Sequence, residues 1–91
     1  MIQILHSTRK GKKFMAVYSD NVHPDIHFGQ LGSTTYLDSR DDRAKINYNK
    51  RHIIDETNPY TAGFLSKYIS WNLPTLKQSI ADYEKRRLAL I

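Results

Sequence analysis

The chain contains no cysteine, which excludes a disulfide framework and any thiolate-ligated zinc or iron–sulfur site. A domain this small must then hold itself by packing or by a partner. Long apolar runs are missing too: none approaches the roughly 18 residues that span a bilayer. In the opening stretch MIQILHSTRKGKK the charges follow the apolar residues, the reverse of a secretory signal. The expectation is a protein with no membrane span that works inside a cell. There is no Gly-x-Ser-x-Gly elbow, so the seven serines do not make a serine hydrolase. Gly29 and Gly32 in GQLGS belong to neither a Gly-x-Gly-x-x-Gly pattern nor a P-loop, and they read as turn glycines. No internal repeat or low-complexity linker is present.

What is present fits one folded domain over residues 1–91. The length is 91 residues, with 40% hydrophobic and 25% charged, within the range of globular rather than disordered chains. Fourteen Lys and Arg against nine Asp and Glu give a net charge of +5 and a pI near 9.6. That balance favours acidic partners, nucleic acid or an acidic protein surface.

Ile2 to Leu5 and FMAVYS read as two strands of a hairpin whose tip is the basic turn around Gly11. Phe14, Ala16 and Tyr18 fall on one face of the second strand, with Met15 and Val17 on the other. After the turn DNVHPD comes a brief strand, IHFG, and TTYL has the β-branched and aromatic composition of a possible fourth. Ser39 or Asp41 can cap a helix with an acidic first turn and a basic last turn at Lys50, Arg51 and His52. A second helix starts at Pro59 or Thr61, with Phe64, Leu65, Tyr68 and Ile69 on one face, and Gly63 implies close packing there. A third starts at Pro74, with Leu76, Ile80 and Tyr83 as its buried stripe and basic residues near its end. The fold expected is α+β: a small N-terminal antiparallel sheet of three or four strands packed with three C-terminal helices.

Metal and catalytic readings find little support. His23 and His27 are four apart, but Pro24 lies between them, and four residues of strand span about 13 Å, too far to share an ion. The stretch PDIH resembles the start of a restriction-type nuclease core, but the acidic residue and lysine that should follow are wrongly spaced at Asp42 and Lys45, and Glu84 leads to Arg86. No catalytic residue, metal ligand or cofactor is assigned, and the chain is read as no enzyme. A small metal-dependent nuclease is the least favoured reading, and it requires Asp38, Asp41 and Asp42 to converge.

The basic residues carry the binding reading. Arg9, Lys10, Lys12 and Lys13 occupy the hairpin tip, Arg40, Arg43, Lys50 and Arg51 run along the first helix, and Lys85, Arg86 and Arg87 end the last. If the first eight share a face they can neutralise phosphates or an acidic protein. If they scatter, they only solubilise. Among the aromatics, Phe64, Tyr68, Trp71 and Tyr83 are assigned to the core. Asp42, Tyr48 and His52 are expected to form a structural polar network joining the charged helix to the sheet, with His52 facing inward ahead of Ile53 and Ile54.

HFGQ, YLDSRDDRAKINYNKRH and NPYTAGFLSKYISWNLPTLKQSIADYEKRR, together residues 26–87, resemble a family of short basic proteins of large nucleocytoplasmic DNA viruses and some phages, a domain of unknown function. The blocks that carry the resemblance are Phe28-Gly29, an aspartate near 42, Tyr48, Arg51-His52, Thr61-Ala62-Gly63, Trp71 and Pro74-Thr75. Ala44, where relatives carry lysine, and the stretch MIQILHST depart from it. The resemblance implies a viral gene product: a minor capsid or other virion component docking on other virion proteins or nucleic acid, in the virion or the interior of an infected host cell. The alternative is a nucleic-acid-binding module built on the basic helix and hairpin tip.

Overall fold

Alternation of apolar and polar residues produces the strands, and Gly11 and Asn21, both at positive φ, sit in the turns that join them. The computed structural model describes residues 2–90. Strand β1 (Ile2–His6) pairs antiparallel with β2 (Lys12–Tyr18), and β2 with β3 (Ile26–Gln30), in the order β1-β2-β3. The register sets Ile2 opposite Tyr18 and Lys12 opposite Gln30. Gly11 turns the first hairpin at φ +81°, a backbone conformation that side chains disfavour. As the alternation implies, Ala16 and Tyr18 are buried and Phe14 packs against the core.

The expected fourth strand is a helix start. Thr35 is the N-cap of α1 (Tyr36–Ser39), and the Asp38 carboxylate accepts from the Thr35 amide at 2.9 Å and its hydroxyl at 3.0 Å. The Thr-x-x-Asp pairing satisfies helix-terminal donors that a strand would leave open, and this outweighs the β propensity of TTYL. Thr35 is buried, so Thr35→Val, which keeps the shape and removes the hydroxyl, is expected to cost about 1 kcal/mol in urea denaturation.

Arg40 ends α1 in a left-handed conformation, φ 54°, and Asp41 caps α2 (Asp42–Arg51), accepting from the Arg43 and Ala44 amides. Helix α3 (Ala62–Leu65) is capped by the Thr61 hydroxyl and runs directly into a π-helical turn, Ser66–Ser70. Helix α4 (Leu76–Ala89) is capped by Thr75, so it begins two residues after Pro74 rather than at it. The arrangement is α+β with a three-strand sheet.

Ile2, Ala16, Tyr18 and Phe28 from the sheet meet Phe64, Leu65, Ile69 and Tyr83 from the helices in one core, with Leu76, Ile80 and Tyr68 packed at its edge. Trp71, assigned to the core from its spacing, is only half-buried and lies outside that cluster. A Cβ on Gly63 would stand 3.1 Å from the Ile54 Cγ2, which accounts for the glycine there. Among the described residues no helix is long and apolar enough to cross a membrane.

Candidate binding cavity

Helix α2 has no fully buried residue. Its half-buried side, Ala44, Lys45, Tyr48 and Asn49, follows the helical period. Lys45 donates to the Asn72 carbonyl, and Arg40, just before the helix, donates to the Pro74 carbonyl at 3.4 Å. The Tyr48 ring stacks on Trp71 at 4.5 Å and 9° and on His52 at 4.1 Å and 24°. Burial pushes the Tyr48 phenol up, and its hydrogen bond with the Ser66 hydroxyl partly counters that. The helix is therefore held by aromatic stacking and by two carbonyl bonds to the segment after the π turn.

These contacts leave a cavity of about 400 Å³ between three parts of the chain. The end of β3 and the loop after it contribute Gly29, Gln30, Ser33, Thr34 and Thr35. The last turn of α2 and its cap contribute Tyr48, Arg51 and His52, and the π turn contributes Ser66, Ser70 and Trp71. Gly29 and Gly32, at φ +79° and +85°, turn the backbone at the mouth, and Ser33 closes back on the Gln30 carbonyl through both its amide and its hydroxyl. The lining is rich in donors, and it includes no carboxylate.

The polar network expected of Asp42, Tyr48 and His52 takes another form. Asp42 accepts from the Tyr36 hydroxyl at 2.7 Å, while His52 is exposed and stacks on Tyr48. Ile53 is 95% exposed, so the chain leaves α2 pointing His52 outward. The reason is the cap: the His52 amide bonds the Tyr48 carbonyl and the residue turns extended, which carries its ring alongside Tyr48 rather than toward the sheet.

Asp38, Asp41 and Asp42 are each engaged separately, with Lys13 and Thr35, with the α2 amides and with Tyr36. His23 bonds Asp20 and His27 bonds Ser7, each at 2.6 Å. Among the described residues no group of three His, Asp or Glu side chains is placed to share a metal ion.

The cations divide sharply. Lys13, Lys67, Arg86 and Arg87 form ion pairs with Asp38, Glu56, Asp82 and Glu84, so two of the three basic residues read at the end of α4 are neutralised within the helix. Arg9, Lys10, Lys12, Arg43, Lys50 and Arg51 are exposed, as are Lys77 and Lys85 of α4, and none of these has an ion pair among the described residues. The hairpin tip is joined to the end of β3: Lys12 lies opposite Gln30 in the sheet, and the Leu31 amide bonds the Gly11 carbonyl. Of the six cations of the tip and α2, Arg51 alone lines the cavity, with Arg43 about 12 Å back along α2. Arg40 and Lys13, counted with them from sequence, are engaged elsewhere, Arg40 on Pro74 and Lys13 on the Ser33 carbonyl and Asp38.

The Lys13 ammonium and the Thr35 amide hold the Asp38 carboxyl below the usual carboxylate range. A depressed carboxyl stabilises the fold above its unfolded value, near 3.8, and that contribution is lost as pH falls through the folded value. Melting temperature is expected to drop on acidification below about pH 4, and Asp38→Asn should flatten that limb.

Sequence reasoning missed Ser66, Ser70, Thr34 and Gln30. The signal available was the pair of serines four apart, Ser66 and Ser70, on a stretch read as a helix with an apolar face.

A model of a family of unknown function (DUF5754) matches residues 2–52, from β1 through the cap of α2. The match includes β1, which the resemblance set aside, and stops before the C-terminal helices. No curated protein and no solved structure matches the chain.

Proposed function

We propose that this chain, which belongs to the family of unknown function DUF5754, is a non-enzymatic docking protein of a virus particle that binds an acidic partner, protein or nucleic acid, through its hairpin tip and α2. The observation that carries this is the sorting of charge. Arg9, Lys10, Lys12, Arg43, Lys50 and Arg51 lie within residues 2–52, exposed and without ion pairs among the described residues, against only Lys77 and Lys85 after residue 52, where three of the four ion-paired cations lie. Unpaired exposed cations lose little solvation on meeting a polyanion and release its counterions. A cation already bound to a carboxylate has less to contribute.

Fluorescence anisotropy tests the reading, with labelled duplex DNA, single-stranded DNA and polyglutamate titrated at about 50 and 200 mM salt. Binding to any of the three that weakens steeply with salt supports it, and a preference for either DNA over polyglutamate assigns nucleic acid as the partner class. Absence of binding to all three at the lower salt sinks it.

A further inference from the structure

We propose that the cavity between β3, α2 and the π turn is a binding site for a phosphate monoester, with Arg51 and the Ser70 hydroxyl as anchors. This does not rest on the docking reading, which concerns the exposed tip and helix.

Two independent observations point to a ligand. The Ser70 side chain is buried, at 1% exposure, and among the described residues its Oγ has no hydrogen-bond partner although the residue lines the cavity. A buried hydroxyl without a partner costs about 1–3 kcal/mol, so such groups persist where something supplies the bond. Arg51, in the wall of the same cavity, has no carboxylate partner among the described residues. No Asp or Glu stands in that wall to oppose an anion.

The chemistry then narrows. A guanidinium fork with hydroxyl donors beside it matches an oxyanion having several acceptor oxygens. A volume of about 400 Å³ leaves room beyond the phosphate for the alcohol it esterifies, and the edge of the Tyr48–Trp71 stack offers that part an apolar wall. The π turn is what puts Ser66 and Ser70 into the wall together with Trp71. Such turns insert a residue into a helix at a cost in regularity, and they are frequent at binding sites.

Trp71 is the chain's one tryptophan and lies in the wall, so its fluorescence reports occupancy directly. The 91-residue chain is titrated with ribose 5-phosphate and with ribose, at constant ionic strength. The expected result is a saturable change with the phosphate and none with ribose, weakened about tenfold or more in Arg51→Ala and in Ser70→Val. Arg51 is exposed, so Arg51→Ala and Arg51→Gln keep the fold and carry the test if Ser70→Val does not fold. No response to the phosphate, an equal response to ribose, or an unchanged response in Arg51→Ala each overturns the proposal.

A 5′-phosphorylated oligonucleotide that competes with ribose 5-phosphate, where its 5′-hydroxyl counterpart does not, assigns the monoester to a strand end. Lack of competition assigns it to a free metabolite. The hairpin variant Lys10→Ala with Lys12→Ala separates the two readings: it is expected to weaken polyanion binding and its salt dependence and to keep the ribose 5-phosphate response.

Discussion

Replacing Tyr83 by phenylalanine is expected to destabilise the protein by about 2 kcal/mol, and by alanine about 3–5 kcal/mol. Tyr83 is fully buried in α4, and its hydroxyl donates to the Pro59 carbonyl at 2.7 Å while lying 2.7 Å from the Tyr18 hydroxyl. With the Tyr83 proton given to Pro59, the Tyr18 hydroxyl is the donor to Tyr83. One oxygen thereby joins β2, the turn before α3, and α4. Phenylalanine keeps the ring and its packing against Phe64 but leaves two buried groups without their partner. Alanine adds a cavity between sheet and helices. For a small domain with about 5–15 kcal/mol in total, the second loss removes much of the stability. Urea denaturation followed by Trp71 fluorescence measures both, and a phenylalanine variant within about 0.5 kcal/mol of wild type would remove this hydroxyl as a keystone.

The same pair sets the alkaline limit. Burial pushes the Tyr18 phenol up to about 12 from an ordinary 10.0, with a smaller opposing effect from its bond to Tyr83, and burial raises Tyr83 as well. A raised phenol stabilises the folded state below the unfolded value, and that contribution is lost as pH rises from about 10 toward 12. Cooperative unfolding is expected in that window, coincident with tyrosinate absorbance.

The sheet was legible because its signals are local. Alternation along FMAVYS and the basic turn at Gly11 each have one physical reading, and the charge order of α2 with Asp41 as cap has another. TTYL was misread because two local preferences conflict there: β-branched composition favours a strand, and Thr35 with Asp38 favours a helix cap. The cavity was not legible, although Tyr48, Arg51 and His52 were named from sequence. Its walls come from segments around residues 30, 50 and 70, and only packing joins them. The irregularity that places Ser70 beside Trp71 is a π turn, which leaves no periodicity to find in five residues. The two isoleucines after His52 predict an inward ring, yet the chain leaves α2 extended at His52 and Ile53 stands in solvent.

The docking reading makes its strongest demand on salt dependence. The six unpaired cations of the tip and α2, each neutralising one duplex phosphate, give a slope of log K against log salt of about −5, so affinity falls about 10³-fold between about 50 and 200 mM. Replacing Arg9, Lys10 and Lys12 together by alanine should bring the slope to about −3 and the fall to about 40-fold. The hairpin tip is exposed, so far-UV circular dichroism and melting temperature should stay at wild-type values. The informative controls are cations of equal formal charge that the fold already uses. Lys67 and Arg86 pair with Glu56 and Asp82 at 2.6 and 2.7 Å. Lys67→Met and Arg86→Met should leave the slope unchanged, because removing them frees a carboxylate rather than a phosphate contact. If the two kinds of variant lower the slope equally, net charge alone governs binding and the division of cations has no functional meaning. If only the tip and α2 variants lower it, the acidic partner sits on the face that carries the family's matched residues.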